Sequence, residues 1–340
     1  MANIYDIAKL ANVSAATVSR ALANNEKISA ASRERIQKIA EELGYRPNLV
    51  ARNLRQKSSL MIGLILDDVS DELSGFIARG VEDEARKNGF SVLLWNIQHE
   101  LESEVAALDF FTNLKLDGVI LADTTLNAVE EFPHLKMPTV LINRTGSDEE
   151  SIHNVLTDDY AGGYDATTYL LNLNHTKIAF INGPFDWHAS AKRLNGYYDA
   201  LKDHHVEPRE EFVKHGDWYE ESGYKLAKEL LLLEDRPTAI FASSDMIAIG
   251  VMDAARELGL SIPDDISIMG YDNRIIAKYA RPRLTTISLP LYEVGMMAAK
   301  TLCEIIQNQA HKDKQVNLLV KGNVIERETT KAIQVDSGID

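Results

Sequence analysis

The sequence predicts an α/β protein with a small three-helix N-terminal module and a larger body of parallel sheets, and three observations support this prediction. Charge is distributed unevenly, because residues 1–57 carry ten Lys or Arg against five Asp or Glu, whereas the whole chain has a formal net charge of -15. The basic segment contains short stretches with helical periodicity. The acidic remainder alternates apolar runs with helical stretches, which is typical of parallel sheets covered on both faces. We therefore expect a basic module attached to an acidic body.

Length and composition exclude several classes of protein. With 340 residues that are 45% hydrophobic, the chain is long enough for two or three packed domains and is neither disordered nor collagen-like. Its single cysteine, Cys303, cannot form an internal disulfide and fits a reducing compartment. No basic stretch followed by an apolar segment opens the chain, and its apolar runs are far shorter than the ~20 residues of a spanning helix. The expectation is a cytoplasmic protein without a membrane partner.

The N-terminal module contains three segments with helical spacing of apolar residues. The first covers 4–11, and the second, for which Ser14 is a suitable N-cap, covers 15–22. Two helices joined this tightly are typical of a helix-turn-helix. A third segment begins after the cap Ser29 and stops at Gly44. Periodicity alone leaves open a three-helix bundle that binds no ligand.

Blocks of this module resemble the N-terminal signature of the LacI/GalR family of bacterial transcriptional regulators. The matching blocks, in the order and spacing of the family, are Asp6–Ala8, Ala11–Ser14, Ala16–Leu22, Gly44–Asn48 and Ala51–Leu54. Asn12 stands where the family usually has glycine, and asparagine is the side chain that best tolerates a left-handed backbone there. The resemblance implies a DNA-binding domain over residues 1–46 whose second helix lies in the major groove of operator DNA.

The resemblance also assigns roles to the residues of the second helix. Ala15, Ala16 and Arg20 occupy the positions that contact base edges. Arg20 can form a bidentate pair with guanine O6 and N7, whereas the alanines offer only methyl contact, most naturally to thymine. The side chains assigned to phosphate contacts are Ser14, Thr17, Ser19 and Asn24.

A hinge helix and linker are expected over residues 47–58. The stretch 48–55 is too short to be a stable helix alone, so it should be disordered without DNA. The resemblance implies that the two copies in a homodimer pair in the minor groove, where Leu54 wedges between the central base pairs. Packing between subunits is the alternative role for Leu54. The hinge residues assigned to DNA are Asn48, Ala51, Arg52 and Leu54.

The body, residues 59–340, alternates strands and helices, so ligands are expected beyond the carboxyl ends of its strands. The polar residues that follow the apolar runs are Asp67, Asp68, Asp123, Asn143, Arg144, Asn182, Ser243, Ser244, Asp245, Asp272 and Asn273. They leave open an acid–base constellation or simple helix caps. Because no dinucleotide-binding, P-loop, zinc-protease or serine-hydrolase motif occurs, no enzyme activity, cofactor or metal is predicted.

Blocks of the body resemble the effector domain of the same family, which has the two-lobe periplasmic-binding-protein fold. They are Asp158–Gly163, Arg193–Tyr197, Gly216–Trp218, Ser244–Gly250 and Gly270–Asn273. The resemblance implies that this body both dimerises and holds a small effector in the cleft between its lobes. The residues assigned to that cleft are Asp67, Phe76, Asn143, Arg193, Trp218, Ser244, Asp272 and Leu289.

Three of these side chains suit a polyhydroxylated ring. Arg193 and Asp272 match the pair that grips ligand hydroxyls in the family, and Trp218 matches an aromatic platform. Ser244 replaces an asparagine found in several sugar-responsive members, and Leu289 belongs to a segment that is more polar or aromatic there. A structural salt bridge with a neighbouring acid is the alternative role for Arg193.

The function predicted from these features is a repressor of carbohydrate-utilisation genes whose operator binding is controlled by a sugar-like effector. A dimer is favoured over a tetramer because residues 329–340 show no leucine heptad. Alternatives within the family are a nucleoside or purine ligand, or a protein corepressor. A solute receptor and an enzyme are the alternatives outside it.

Overall fold

The chain folds into two compact units, residues 1–59 and 60–340. The computed structural model describes residues 2–22, 25, 27–45, 58–98, 100–129, 137–146, 153–308 and 316–334. None of the helices in these ranges is long and apolar enough to cross a membrane.

The first unit is a small helical module. Its described part contains α1 (Ile4–Ala11), α2 (Ala15–Leu22) and α3 (Ala30–Glu42). Asn12 ends α1 in the left-handed conformation, with φ 50°, and Ser14 Oγ caps α2 by accepting a hydrogen bond from the Thr17 amide at 3.1 Å. Val18 and Ile36 are fully buried in the core between the helices. The caps and apolar positions read from the sequence therefore form these helices.

The second unit contains two six-stranded sheets, one in each lobe. The strands of the first lobe are β1 (Met61–Leu66), β2 (Ser91–Asn96), β3 (Gly118–Val129), β4 (Thr139–Gly146), β5 (His153–Thr157) and β11 (Asn317–Val320), in the order β11-β5-β4-β3-β1-β2. The strands of the second lobe are β6 (Ile178–Asn182), β7 (Val213–His215), β8 (Ala239–Ala242), β9 (Ser267–Asp272), β10 (Thr285–Ser288) and β12 (Asn323–Ile325), in the order β12-β10-β9-β8-β6-β7. Pairing is parallel throughout the first sheet, and in the second only β12 runs antiparallel, to β10. The parallel sheets predicted from the sequence are confirmed.

Helices cover the sheets. Those of the first lobe are α4 (Glu72–Lys87), α5 (Leu101–Leu114) and α11 (Leu291–Asn308), and those of the second lobe are α6 (Asp159–Asn172), α7 (His188–Asp203), α8 (Glu220–Leu231), α9 (Asp245–Glu257) and α10 (Ile275–Tyr279). The chain passes between the lobes after β5, after β10 and between β11 and β12. Rotation of one lobe against the other is thus borne by connections of a few residues.

A pair of glycines brings α6 and α7 into close contact. A Cβ at Gly163 would collide with the backbone of Arg193, and a Cβ at Gly196 would collide with the backbone of Tyr160. Glycine is required at both positions because the helix backbones touch there. This packing places Arg193 of α7 beside Asp159 at the start of α6.

Candidate DNA-reading face and effector cleft

The outer face of α2 carries the side chains that the sequence assigns to base contacts. Val18 and Ala21 are buried, whereas Ala16 and Arg20 are exposed and lie four residues apart on one face. Ala15 is half-buried. The guanidinium of Arg20 is exposed and does not contribute to the core, so it can reach into a DNA groove.

Two residues assigned to phosphate contacts, Ser14 and Thr17, lie at the start of α2. Thr17 Oγ1 and Ser14 Oγ lie 2.9 Å apart, so both hydroxyls take part in the cap of α2. Ser19 is half-buried on the same helix. The remaining residues assigned to DNA lie outside the described residues: Asn24, Asn48, Ala51, Arg52 and Leu54.

The lobes of the second unit enclose a cavity of about 370 Å³ at the carboxyl ends of their strands. Five residues assigned from the sequence line it: Arg193, Trp218, Ser244, Asp272 and Leu289. Trp218, Ser244 and Leu289 closely follow strands of the second lobe. Asp272 is the last residue of β9, and Arg193 lies in α7, the helix that follows β6. The volume lies at the lower end of the range for small-molecule sites.

Three other assigned residues lie elsewhere. Phe76 lines an adjoining cavity of about 330 Å³, which shares Asp272 and Leu289 with the first. Asp67 is buried and is not among the residues that line either cavity. Asn143 Oδ1 accepts hydrogen bonds from the Thr157 amide at 2.9 Å and from Thr157 Oγ1 at 3.2 Å. The side chain of Asn143, within β4, thus joins that strand to Thr157 at the end of β5.

Arg193 combines a place in the cavity lining with a buried ion pair. Its Nε and one terminal nitrogen lie 2.9 and 2.8 Å from Asp159 Oδ1, and the other terminal nitrogen donates to the Ser243 carbonyl. The guanidinium lies over the Tyr271 ring, 3.7 Å from its centroid. Burial opposes the charge, but Asp159, Tyr271 and Asp272 together outweigh burial and hold the pKa of Arg193 above its usual value. Arg193 therefore forms a structural salt bridge with Asp159 and also lines the cavity.

The turn after β9 presents Asp272 to the cavity. Asp272 and Asn273 have φ values of 111° and 60°, a conformation that costs non-glycine residues about 1–3 kcal/mol. Asp245 fixes the turn, because one carboxylate oxygen accepts the Arg274 amide at 2.7 Å and the other accepts Thr286 Oγ1 at 2.6 Å. A strained turn that neighbouring groups hold in place is typical of a functional site.

Burial raises the pKa of Asp272 to about 6, against the opposing influence of Arg193 and Arg274. Burial and the adjacent Asp272 also raise the pKa of Asp245. Two carboxylates therefore lie beneath the cavity in surroundings that disfavour additional negative charge.

This shift predicts that the contribution of Asp272 to the stability of the second unit falls between about pH 4 and pH 6. Because the folded pKa of Asp272 lies above its unfolded value, the native state binds the proton more tightly, and the associated stability is lost as pH rises through the folded pKa. We expect Asp272→Asn to reduce this fall by an amount on the order of 1–2 kcal/mol. Urea unfolding of the full chain at several pH values measures it, with Asp253→Asn on the exposed face of α9 as the control. Equal falls in Asp272→Asn and wild type would contradict the assignment.

An aromatic wall faces these charged groups. Ser244 Oγ accepts the Ile247 amide as the cap of α9 and donates to the Trp218 carbonyl, both at 3.1 Å. It therefore positions the loop that carries Trp218. The indole of Trp187 lies 5.5 Å from that of Trp218, centroid to centroid. Within the described residues, the buried Trp218 Nε1 has no hydrogen-bond acceptor.

Several lining residues were not identified from the sequence. They are Ser70, Asp71, Leu73, Trp187, Ala189, Tyr219, Met246 and Arg274. Asp68, one of the polar residues that follow an apolar run of the sequence, also lines the cavity. Trp187 and Arg274 lie close behind β6 and β9, so the rule that ligands bind beyond the strand ends would have included them. The described residues contain no group of three His, Cys, Asp or Glu that could hold a metal ion. Guanidinium, carboxylate and indole groups in one cavity are suited to binding a hydroxylated ring.

Comparisons with known proteins agree with both units. Residues 3–48 match the family described as bacterial regulatory proteins, lacI family, and residues 167–330 match a periplasmic binding protein-like domain. The lac repressor dimer bound to operator and the anti-inducer ONPF superposes with a TM-score of 0.82 at 27% identity, covering 97% of this chain and 99% of that chain. The complex of the transcriptional regulator CelR with cellobiose gives a TM-score of 0.69 at 27% identity, covering 97% and 100%.

A curated relative extends over nearly the whole sequence. The HTH-type transcriptional repressor CytR of Escherichia coli (strain K12) is 35% identical over 311 residues, which are 91% of each chain. Proteins of this kind are regulators rather than enzymes. The chain belongs to the lacI family of bacterial regulatory proteins and is a transcriptional repressor of that family.

Proposed function

We propose that this protein is a cytoplasmic, dimeric repressor of carbohydrate-utilisation genes whose operator binding is controlled by an uncharged, sugar-like effector in the interlobe cavity. The observation that carries the effector assignment is the convergence of Arg193, Asp272 and the Trp187–Trp218 wall on one cavity. Hydrogen-bonding groups at the edge of a ring and an indole against its face match the two surfaces of a sugar. Cellobiose is the ligand named for CelR, which shares this fold.

The charges around the cavity favour a neutral ligand. Each of the two arginines in the lining already contacts a carboxylate, Arg193 through Asp159 and Arg274 through Asp71. The lining also contains Asp68 and Asp272. An anionic ligand would therefore approach carboxylates without gaining a new cationic partner, whereas hydroxyl groups can both donate and accept hydrogen bonds there.

Operator recognition is assigned to the exposed face of α2 with Arg20, supported by the fit to the operator-bound lac repressor. Control of DNA binding by the effector requires a reciprocal coupling, in which operator DNA changes effector affinity by the same factor. The hinge assignment over residues 47–58 remains a prediction, because residues 47–57 lie outside the described residues.

Calorimetry with matched ligand pairs tests the effector assignment. We expect the full chain to bind a neutral mono- or disaccharide and to bind the corresponding phosphate or uronic acid at least roughly tenfold more weakly, a difference of about 1.4 kcal/mol. Asp272→Asn should lose most of the affinity, because an amide replaces a charged acceptor of ligand hydroxyls.

Glu328→Gln, on the exposed surface of the second lobe, is the control that should bind as wild type does. Nucleosides and free purines belong in the same panel. Tight binding of a purine, or equal affinity for the neutral and phosphorylated sugars, would contradict the proposal.

A further inference from the structure

The turn that presents Asp272 also contacts the opposite lobe. Arg274 reaches across the mouth of the cavity, where its two terminal nitrogens lie 2.8 and 3.4 Å from the two carboxylate oxygens of Asp71. Its Nε lies 3.3 Å from Asp272 Oδ2 in its own lobe. One guanidinium thus links a carboxylate of the first lobe to a carboxylate of the second.

A second contact between the lobes lies beside the first. The backbone amide of Ile275 donates to the carboxylate of Glu72, at 2.9 and 3.2 Å from its two oxygens. Asp71 is the N-cap of α4, where it accepts the Leu73 amide at 3.1 Å, and Glu72 is the first residue of that helix. The start of α4 is therefore attached to the start of α10 by two adjacent contacts.

Both ends of this connection are fixed within their own lobes. On the second lobe, Asp245 holds the Arg274 amide, and Arg327 donates to Asn273 Oδ1 at 2.6 Å. On the first lobe, the capping bond orients Asp71. Because the backbone at Arg274 and the side chain of Asp71 are held in place within their own lobes, making the contact requires little further ordering beyond the Arg274 side chain.

Burial distinguishes this ion pair from an ordinary surface pair. The side chains of Arg274 and Asp71 are 22% and 28% exposed, and the pairing is bidentate, the geometry that makes an arginine–carboxylate contact strong. Fully exposed pairs with a single contact usually contribute little. Arg274, Asp71 and Asp272 all line the cavity. The ion pair therefore lies against the space that an effector would occupy.

We propose that Arg274 is a positioning residue that clasps the two lobes together. The clasp holds Asp71 and Asp272 on opposite walls of the cavity, and an effector hydroxyl that binds Asp272 replaces the contact from Arg274 Nε. The contact between the lobes at the mouth of the cavity therefore depends on the side chain of Arg274. This inference concerns the lobes alone and stands independently of the class of effector.

Pulsed electron–electron resonance on the ligand-free full chain tests the clasp. Nitroxide labels go on cysteines introduced at Glu102 of α5 and Lys225 of α8, which are exposed on the first and second lobes. The native Cys303 is 1% exposed, so it should take no label. Mixing with an excess of unlabelled protein leaves one labelled subunit in each oligomer.

The clasp predicts a narrow distance distribution for the otherwise wild-type chain and a shift to a longer, broader distribution in Arg274→Met. Asp71→Asn should give the same shift, because asparagine keeps the cap of α4 and removes only the charge. The double variant should shift no further, since both substitutions break one interaction. Arg274→Lys, which keeps the charge without the bidentate geometry, should lie between wild type and Arg274→Met.

Arg283→Met is the matched control, because Arg283 pairs with Glu328 at 2.7 Å inside the second lobe. Its distribution should remain that of wild type. An unchanged distribution in both Arg274→Met and Asp71→Asn would overturn the proposal, and so would an equal shift in Arg283→Met.

Discussion

Arg193→Met is expected to lower the free energy of unfolding of the second lobe by about 3–5 kcal/mol, because removing one member of a buried ion pair leaves the other charge uncompensated. Asp159 is 4% exposed, and Arg193 is the partner that its carboxylate contacts at 2.8 Å. The same substitution should abolish effector binding, since it removes the guanidinium from the cavity. Urea unfolding, followed by tryptophan fluorescence, and calorimetry with the sugar identified in the ligand panel measure the two effects.

The double variant Arg193→Met, Asp159→Asn separates the structural contribution from the ligand contribution. Asparagine has nearly the shape of aspartate but carries no charge, so the double variant should recover most of the stability that Arg193→Met removes. It should still fail to bind the effector, because the cavity lacks the fork of donors. Two results would contradict this account: normal effector binding by Arg193→Met, or a double variant no more stable than Arg193→Met.

Arg20→Ala is expected to weaken operator binding by about 1–3 kcal/mol for each half-site, because alanine cannot form the bidentate pair with guanine. The preference at that one base pair of the half-site should relax. The fold should be unaffected, because Arg20 is exposed while Val18 and Ala21 supply the core contacts of α2. A randomised-site selection measures the preference, and fluorescence anisotropy at fixed salt measures the affinity.

Lys38→Ala is the matched control for Arg20→Ala. Lys38 is exposed on α3, so this variant loses one positive charge of the same module away from the face of α2. It should lower affinity modestly with no change in sequence preference. If Arg20→Ala retains the wild-type preference at every position, Arg20 does not read a base.

Much of the fold could be predicted from local patterns in the sequence. The cap Ser14 and the buried Val18 define α2 because helix caps and apolar spacing act over a few residues. The run 61–66 forms β1 with the same bounds, since a central parallel strand is buried on both faces and shows continuous hydrophobicity. Short or polar strands such as β5, β7 and β10 lacked that signal.

The residues of the candidate cleft could be predicted only in part from the sequence. The strand-end rule and the family resemblance led to Arg193, Trp218 and Asp272, which the structure brings together at one cavity. Neither indicated that Asn143 turns into its lobe toward Thr157. The direction of a side chain depends on the local backbone conformation, and Asn143 has a φ of 51° although it lies within β4.

Periodicity, capping and charge are local properties of a chain, so they indicated the helices, the longer buried strands, the basic module and the residue types available to the cleft. Which charged groups meet depends on the tertiary structure. Arg193 pairs with Asp159, which lies 34 residues earlier in the chain, and Arg274 pairs with Asp71, which lies 203 residues earlier. Such partnerships depend on how helices pack and how two lobes close, and both are set by contacts between distant segments that no local pattern records.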